Sequence, residues 1–173
     1  MTHAKDQEDR YREAAEMFGP AMQRLARATE ANATRQADLL QDMHVALWQS
    51  LARFDGRCSL STWVYRVTHN AAADHVRRER RHYQRAVALE AIGQMPDGRS
   101  VSAEREQADA LTRLHHWIRG LGPSDRQVIL LYLEEVSAAE IADITGLTPD
   151  AVATRISRLK SRLSSDFKEP CHD

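Results

Sequence analysis

Residues Ser137–Leu163 read SAAEIADITGLTPDAVATRISRLKSRL and spell two helices joined by a tight turn, the second carrying a spaced row of basic residues. Ser137 followed three residues later by Glu140 makes a capping box, in which hydroxyl and carboxylate reciprocally satisfy backbone donors at a helix start. Gly146 falls where that first helix must stop in a left-handed backbone conformation. Thr148 and Pro149 supply an N-cap and a first-turn proline for the next helix. Along that helix Val152, Ile156, Leu159 and Leu163 recur as an apolar stripe, which leaves Ala151, Thr154, Arg155, Arg158 and Arg162 facing outward. Small Ala142, Gly146 and Val152 hold the spacing that two helices crossing closely around a turn require. A basic helix face alone is ordinary solvated surface. Set in this turn geometry, the outward row is expected to reach the major groove of DNA.

Upstream of the motif, Leu111, Leu114, Trp117 and Ile118 mark a helix over Ala108 to Gly120, and Leu121-Gly122-Pro123-Ser124 ends it and caps another that runs to Glu135. With the motif these make a compact four-helix unit. From Arg85 to Gln107 the pattern weakens around MPDGRS, where Pro96, Asp97 and Gly98 form a turn among mixed polar residues; this span is expected to be a flexible interdomain linker.

The N-terminal half is also helical. Tyr11, Ala15, Phe18, Met22 and Leu25 trace one stripe, with a kink or restart expected at Gly19-Pro20 and a loop over Thr29 to Thr34. Leu40, Met43, Leu47, Leu51 and Phe54 trace the next, opposite a polar face of Asp38, Gln41, Asp42 and Gln49. After a turn at Asp55-Gly56, the segment CSLSTWVYRVTHNAAADHVRRERR begins a long helix. Trp63, Val64, Val67, Ala71 and Val76 look inward, and Arg66, Asn70, Ala73, Arg77 and Arg81 fall on the other side.

At 173 residues, with only seven Gly, five Pro and 6% aromatics, the chain is expected to be nearly all helical and to form two small domains, each with its own core. The net charge of −1 excludes a blanket polycation, but the charge is segregated: Arg66–Arg85 and Arg155–Lys168 each carry a surplus of four positive charges. The two cysteines, Cys58 and Cys171, the lack of a secretory leader and of any long apolar run point to a reducing cytoplasm without membrane insertion. Neither His115-His116 nor Cys171-His172 has the paired ligand spacing of a zinc module. No phosphate-cradling glycine loop or nucleophile elbow occurs, so no metal, cofactor, catalytic residue or enzymatic activity is expected.

Taken whole, the chain resembles a bacterial RNA polymerase sigma factor of the extracytoplasmic-function (ECF) type in the sigma-70 family. The segment DLLQDMHVALWQSLARFDGRCSLSTWVYRVTHNAAADHVRRERR resembles the family's promoter −10 domain, region 2, and LGPSDRQVILLYLEEVSAAEIADITGLTPDAVATRISRLKSRL its −35 domain, region 4. The resemblance implies region 2 over 1–84, a linker over 85–107 and region 4 over 108–168. It further implies that Asp38, Leu39, Gln41 and Asp42 dock on the clamp helices of core polymerase. Gly56, Arg57, Cys58, Ser59 and Leu60 would surround a flipped base of the −10 strand, while Arg66, Asn70, Arg77, Arg78 and Arg81 track DNA during melting. Thr148, Pro149, Ala151, Thr154, Arg155, Arg158 and Arg162 would meet the −35 element. The implied partners are core RNA polymerase, promoter DNA and an anti-sigma factor. Family members commonly carry a basic residue where this chain has Ala153.

Two other readings compete. A stand-alone helix-turn-helix regulator would carry a receiver or ligand domain upstream, whereas this chain has a second helical half with an acidic face. A protein that binds polymerase without DNA would have no use for two separated basic patches.

Overall fold

In a computed structural model, which describes residues 2–87 and 103–167, the chain is a set of α-helices. The first half comprises α1 (Thr2–Thr29), α2 (Ala33–Leu51) and α3 (Leu60–Val87), and the second α4 (Ala103–Gly120), α5 (Pro123–Leu133), α6 (Ala138–Thr145) and α7 (Pro149–Asp166). No strand occurs among the described residues. None of their helices is long and apolar enough to cross a membrane.

Local chemistry accounts for most helix ends. Asn32 accepts the Arg35 backbone N–H and starts α2, a residue ahead of the expected end of the loop. Ser59 accepts the Thr62 N–H and starts α3. The restart expected at Gly19-Pro20 is absent: α1 runs through Pro20, an exposed ring that gives up one backbone hydrogen bond. Within the capping stretch Leu121–Ser124, Gly122 is the N-cap of α5, with Pro123 in its first turn. Both α3 and α4 extend into the span expected as linker, and the flexibility expected of residues 88–102 lies outside the described residues.

The three helices of the first half pack on one another around Phe18, Met22, Leu25, Leu39, Met43, Leu47 and Val64. In the second half Val128, Leu131, Ile141, Ala142, Ile144 and Val152 close a smaller core among α5, α6 and α7. The expectation of two separate cores is met only in part. Ile118, Leu121, Ile129, Leu130 and Leu159 belong to the same apolar cluster as the first half, because α4 lies on α1 and α6 on α3. Polar contacts cross the same seam. Arg24 grips Glu134 through Nε and Nη2, both at 2.6 Å, and Arg66 donates to the Asp143 carbonyl at 2.7 Å. At the elbow between α4 and α5, Arg126 donates to the Ile118, Arg119 and Leu121 carbonyls, satisfying the acceptors that the end of α4 leaves open.

His69 is buried in this seam, and burial pushes its imidazole pKa down to about 4. The folded chain therefore holds it neutral, whereas the unfolded chain binds a proton below ~6.5. Stability is lost as pH falls from ~6.5 towards about 4, where the loss levels off at roughly 3 kcal/mol. Denaturant titrations at pH 7.5 and 5 are expected to show the wild type losing about 2 kcal/mol more than His69→Leu. Equal losses in the two proteins would refute the neutral buried imidazole.

Candidate functional site

Three surfaces gather the residues singled out from the sequence. On α2, Asp38, Gln41 and Asp42 are all exposed along one side of the helix, while Leu39, Met43 and Leu47 are wholly buried on the other. This corrects the docking set: Leu39 is core and cannot reach a partner. Leu40, expected inside, sits half-buried at the edge. Spacings of four from 39 to 43, 47 and 51 keep the stripe on one line, and Leu40 falls a helical step to the side. Asp42 is ion-paired with Arg78 of α3, so the acidic face and the neighbouring basic helix share a contact. Sequence reasoning missed Val45 and Trp48, which are exposed and one further turn along the same side. Their apolar character in an otherwise polar row was the available signal. Trp48 meets Tyr11 edge to face with centroids 5.3 Å apart.

The second surface is the loop between α2 and α3 with the start of α3. Gly56 has φ +74°, a conformation that favours glycine, and lets the chain turn sharply after Asp55. The Arg57 backbone N–H, helped by its guanidinium, holds the Asp55 carboxyl below the usual carboxylate range. Arg57 and Ser59 are exposed, and Cys58 and Leu60 are partly covered. The Ser59 hydroxyl is committed to the cap of α3 and to the Ser61 and Thr62 hydroxyls at 2.8 Å, and Leu60 packs on the core. These two therefore shape the loop, and Gly56, Arg57 and Cys58 remain its accessible part. Trp63 is fixed inward: its indole N–H donates to Ser50 Oγ at 3.0 Å and its ring meets Phe54 edge-on. Tyr65 likewise packs against Phe18.

Along α3, Asn70, Arg77 and Arg81 are exposed, in line with the outward side read from the sequence, and so is Arg78, which only the family resemblance singled out. Arg66 is only partly exposed because it spans to α6, and Arg77 is ion-paired with Asp74.

The third surface is α7. The capping box at Ser137 and Glu140 is present, Gly146 ends α6 at φ 76°, and Thr148 caps α7 by accepting the Ala151 N–H. Val152 and Leu159 are buried; Thr154, Arg158 and Arg162 are exposed, and Ala151 and Arg155 partly so. The Thr148 hydroxyl oxygen accepts in the cap, which fixes the side chain in place and leaves its O–H able to donate. Arg155 and Arg158 are both gripped by Asp125 of α5, a partner that nothing in the local sequence announced. Trp117 of α4 donates to Asp166 at 2.8 Å and ties α4 to the end of α7. Among the described residues no cluster of three or more His, Cys, Asp or Glu has the makings of a metal site. Cys171 and His172 lie outside the described residues.

Two family models match the chain, one described as Sigma-70 region 2 over residues 14–82 and one as Sigma-70, region 4 over residues 111–163. The ECF RNA polymerase sigma factor SigW of Bacillus subtilis is 24% identical over 178 residues, spanning 95% of this chain and 92% of that protein. The RNA polymerase sigma factor CnrH of Cupriavidus metallidurans is 30% identical over 155 residues, spanning 85% and 81%. The solved structure of CnrH in complex with the cytosolic domain of CnrY aligns with a TM-score of 0.66 at 25% identity, over 92% of this chain and 89% of that one.

Proposed function

Because the chain belongs to the ECF group of the sigma-70 family, and so is a sigma factor that directs core RNA polymerase to promoters, we propose how its parts divide that work. Residues 1–84 act as region 2 and residues 108–168 as region 4, with 85–107 between them. The exposed row Asp38, Gln41 and Asp42, extended by Val45, docks α2 on the clamp helices of the polymerase. Gly56, Arg57 and Cys58, on the frame made by Ser59 and Leu60, receive a flipped −10 base, and Arg66, Asn70, Arg77, Arg78 and Arg81 follow the strands as they part. Unstacking a base costs a few kcal/mol, which contacts in the pocket offset. Region 4 lays α7 in the major groove at −35, where Arg155 and Arg158 read and Ala151, Thr154 and Arg162 line the approach. The N-terminus of α7, set by Thr148 and Pro149, faces phosphate.

The observation that carries this division is the pairing, in one chain, of an acidic exposed row on α2 with an arginine row on a helix aimed by a capping box and a left-handed glycine. Family members are transcription initiation factors rather than enzymes, and the stand-alone regulator reading is not favoured, since region 2 fills the N-terminal half. The work is placed in the cytoplasm, where polymerase and promoter meet. An anti-sigma partner that holds both halves is proposed from the likeness to the CnrH complex with CnrY.

Run-off transcription tests the whole. Core polymerase with this chain is expected to initiate on a defined subset of genomic fragments on which neither component initiates alone. Absence of any transcript dependent on the chain would overturn it.

A further inference from the structure

Asp125 stands in the first turn of α5, and its carboxylate is turned to α7 rather than to solvent, with 21% of the side chain exposed. Its Oδ1 accepts from Arg155 Nη1 at 2.7 Å and from Arg158 Nη2 at 2.9 Å, and Oδ2 accepts from the same Nη2 at 2.9 Å. One carboxylate thus holds the two arginines proposed above to read bases. The other acidic contact on this helix is of a different kind: Arg162 and Asp166 are 3.9 Å apart and both largely exposed, a loose surface pair with little hold.

We propose that Asp125 is a specificity-determining positioning residue for −35 recognition, orienting Arg155 and Arg158 for base reading while reducing their pull on phosphate. The inference rests on the assignment of α7 to the −35 element. A guanidinium carries five donors in a fixed plane. The grip on Asp125 engages Nη1 of Arg155 and Nη2 of Arg158, which leaves Nε and Nη2 on the first and Nε and Nη1 on the second. Those donors remain available for the O6 and N7 acceptors of guanine. Two long side chains that would otherwise lose rotamer freedom on binding have already lost it in the fold. The carboxylate also cancels one positive charge of the pair, and sequence-independent affinity for DNA rises with each cation that meets a phosphate. Both effects favour discrimination over indiscriminate binding.

The experiment uses the holoenzyme formed from core polymerase and the full chain. The −35 element is first selected by the wild-type holoenzyme from a library randomised there. Binding is then measured over a salt series on the selected promoter and on one with altered −35 bases. Asp125→Asn, which removes the charge and keeps the shape, is expected to lower the preference for the selected element about tenfold, through tighter binding to the altered promoter and weaker binding to the selected one. Asp125→Glu is expected to restore most of the preference. A preference unchanged in Asp125→Asn overturns the inference, whether affinity for both promoters stays the same or rises alike. Arg155→Ala and Arg158→Ala separate the two levels of the argument. If they alter the preference and Asp125→Asn does not, Asp125 alone is ruled out; if none of the three alters it, the assignment of α7 to the −35 element falls.

Discussion

Replacing Asp38 and Asp42 together with arginine is expected to abolish capture of the chain by core polymerase, raising the dissociation constant more than a hundredfold, roughly 3 kcal/mol or more. Both side chains are exposed on α2, and reversing two charges on a docking face sets like against like when a basic partner surface approaches. Helix content should not change, because neither residue contributes to the buried stripe of Leu39, Met43 and Leu47. Asp42 has a second role, its ion pair with Arg78, so Asp42→Arg also places two positive charges together between α2 and α3. Asp38→Arg alone is the cleaner variant, since among the described residues the Asp38 side chain makes no hydrogen bond or ion pair. It should retain the wild-type melting temperature and still lose most of the binding. Co-purification and titration with core polymerase, alongside circular dichroism, decide the matter: undiminished affinity in the double variant removes α2 as the docking face.

The second large effect concerns DNA. The chain alone is expected to bind duplex promoter weakly and with little sequence preference, and to acquire specific protection only with core polymerase, a gain of about a thousandfold or more. The net charge of −1 gives little long-range pull on DNA, and contacts within the fold engage several of the arginines. Arg66 is engaged with the Asp143 carbonyl, Arg77 with Asp74, Arg78 with Asp42, and Arg155 and Arg158 with Asp125. Arg77, Arg78, Arg155 and Arg158 each already face a carboxylate, which lowers the net positive charge these surfaces offer to phosphate, and the attraction that remains should fade with salt. Polymerase is expected to convert two weak contacts into one event at high effective concentration and to hold the strands apart for the proposed base capture. Footprints with the chain alone, core alone and both together, over a salt series, provide the test. Tight, sequence-specific protection by the isolated chain would mark it as an independent regulator.

Which features were readable from the sequence follows from the range of the interactions that make them. The helix-turn-helix was legible because every determinant is local: Ser137 and Glu140 are three residues apart, and Gly146 and Thr148 act on their own turn. The burial of Leu39 instead of Leu40 was not, since adjacent leucines in a stripe of spacing three and four serve equally until a partner helix chooses between them. The seam between the halves was beyond reach for a stronger reason. Arg24 meets Glu134 across 110 positions and Arg66 meets Asp143 across 77, and no periodicity encodes such pairs. The grip of Asp125 on Arg155, 30 positions away, belongs to the same class. Arginines that read as free cations along a helix thus turn out to be partnered.

The three tryptophans provide a built-in set of optical reporters. Trp48 is solvent-facing beside the acidic row of α2, Trp63 is anchored on Ser50 next to the loop after α2, and Trp117 is tied to Asp166 where α4 meets α7. An indole in water emits to the red of one held in an apolar setting, so each site carries its own spectral signature. Chains that keep one tryptophan and replace the other two with phenylalanine would let polymerase docking, capture of a single-stranded base and displacement of the recognition helix be timed separately by stopped-flow emission. The order in which a promoter is engaged then becomes a kinetic observable, recorded without attaching any dye to the protein.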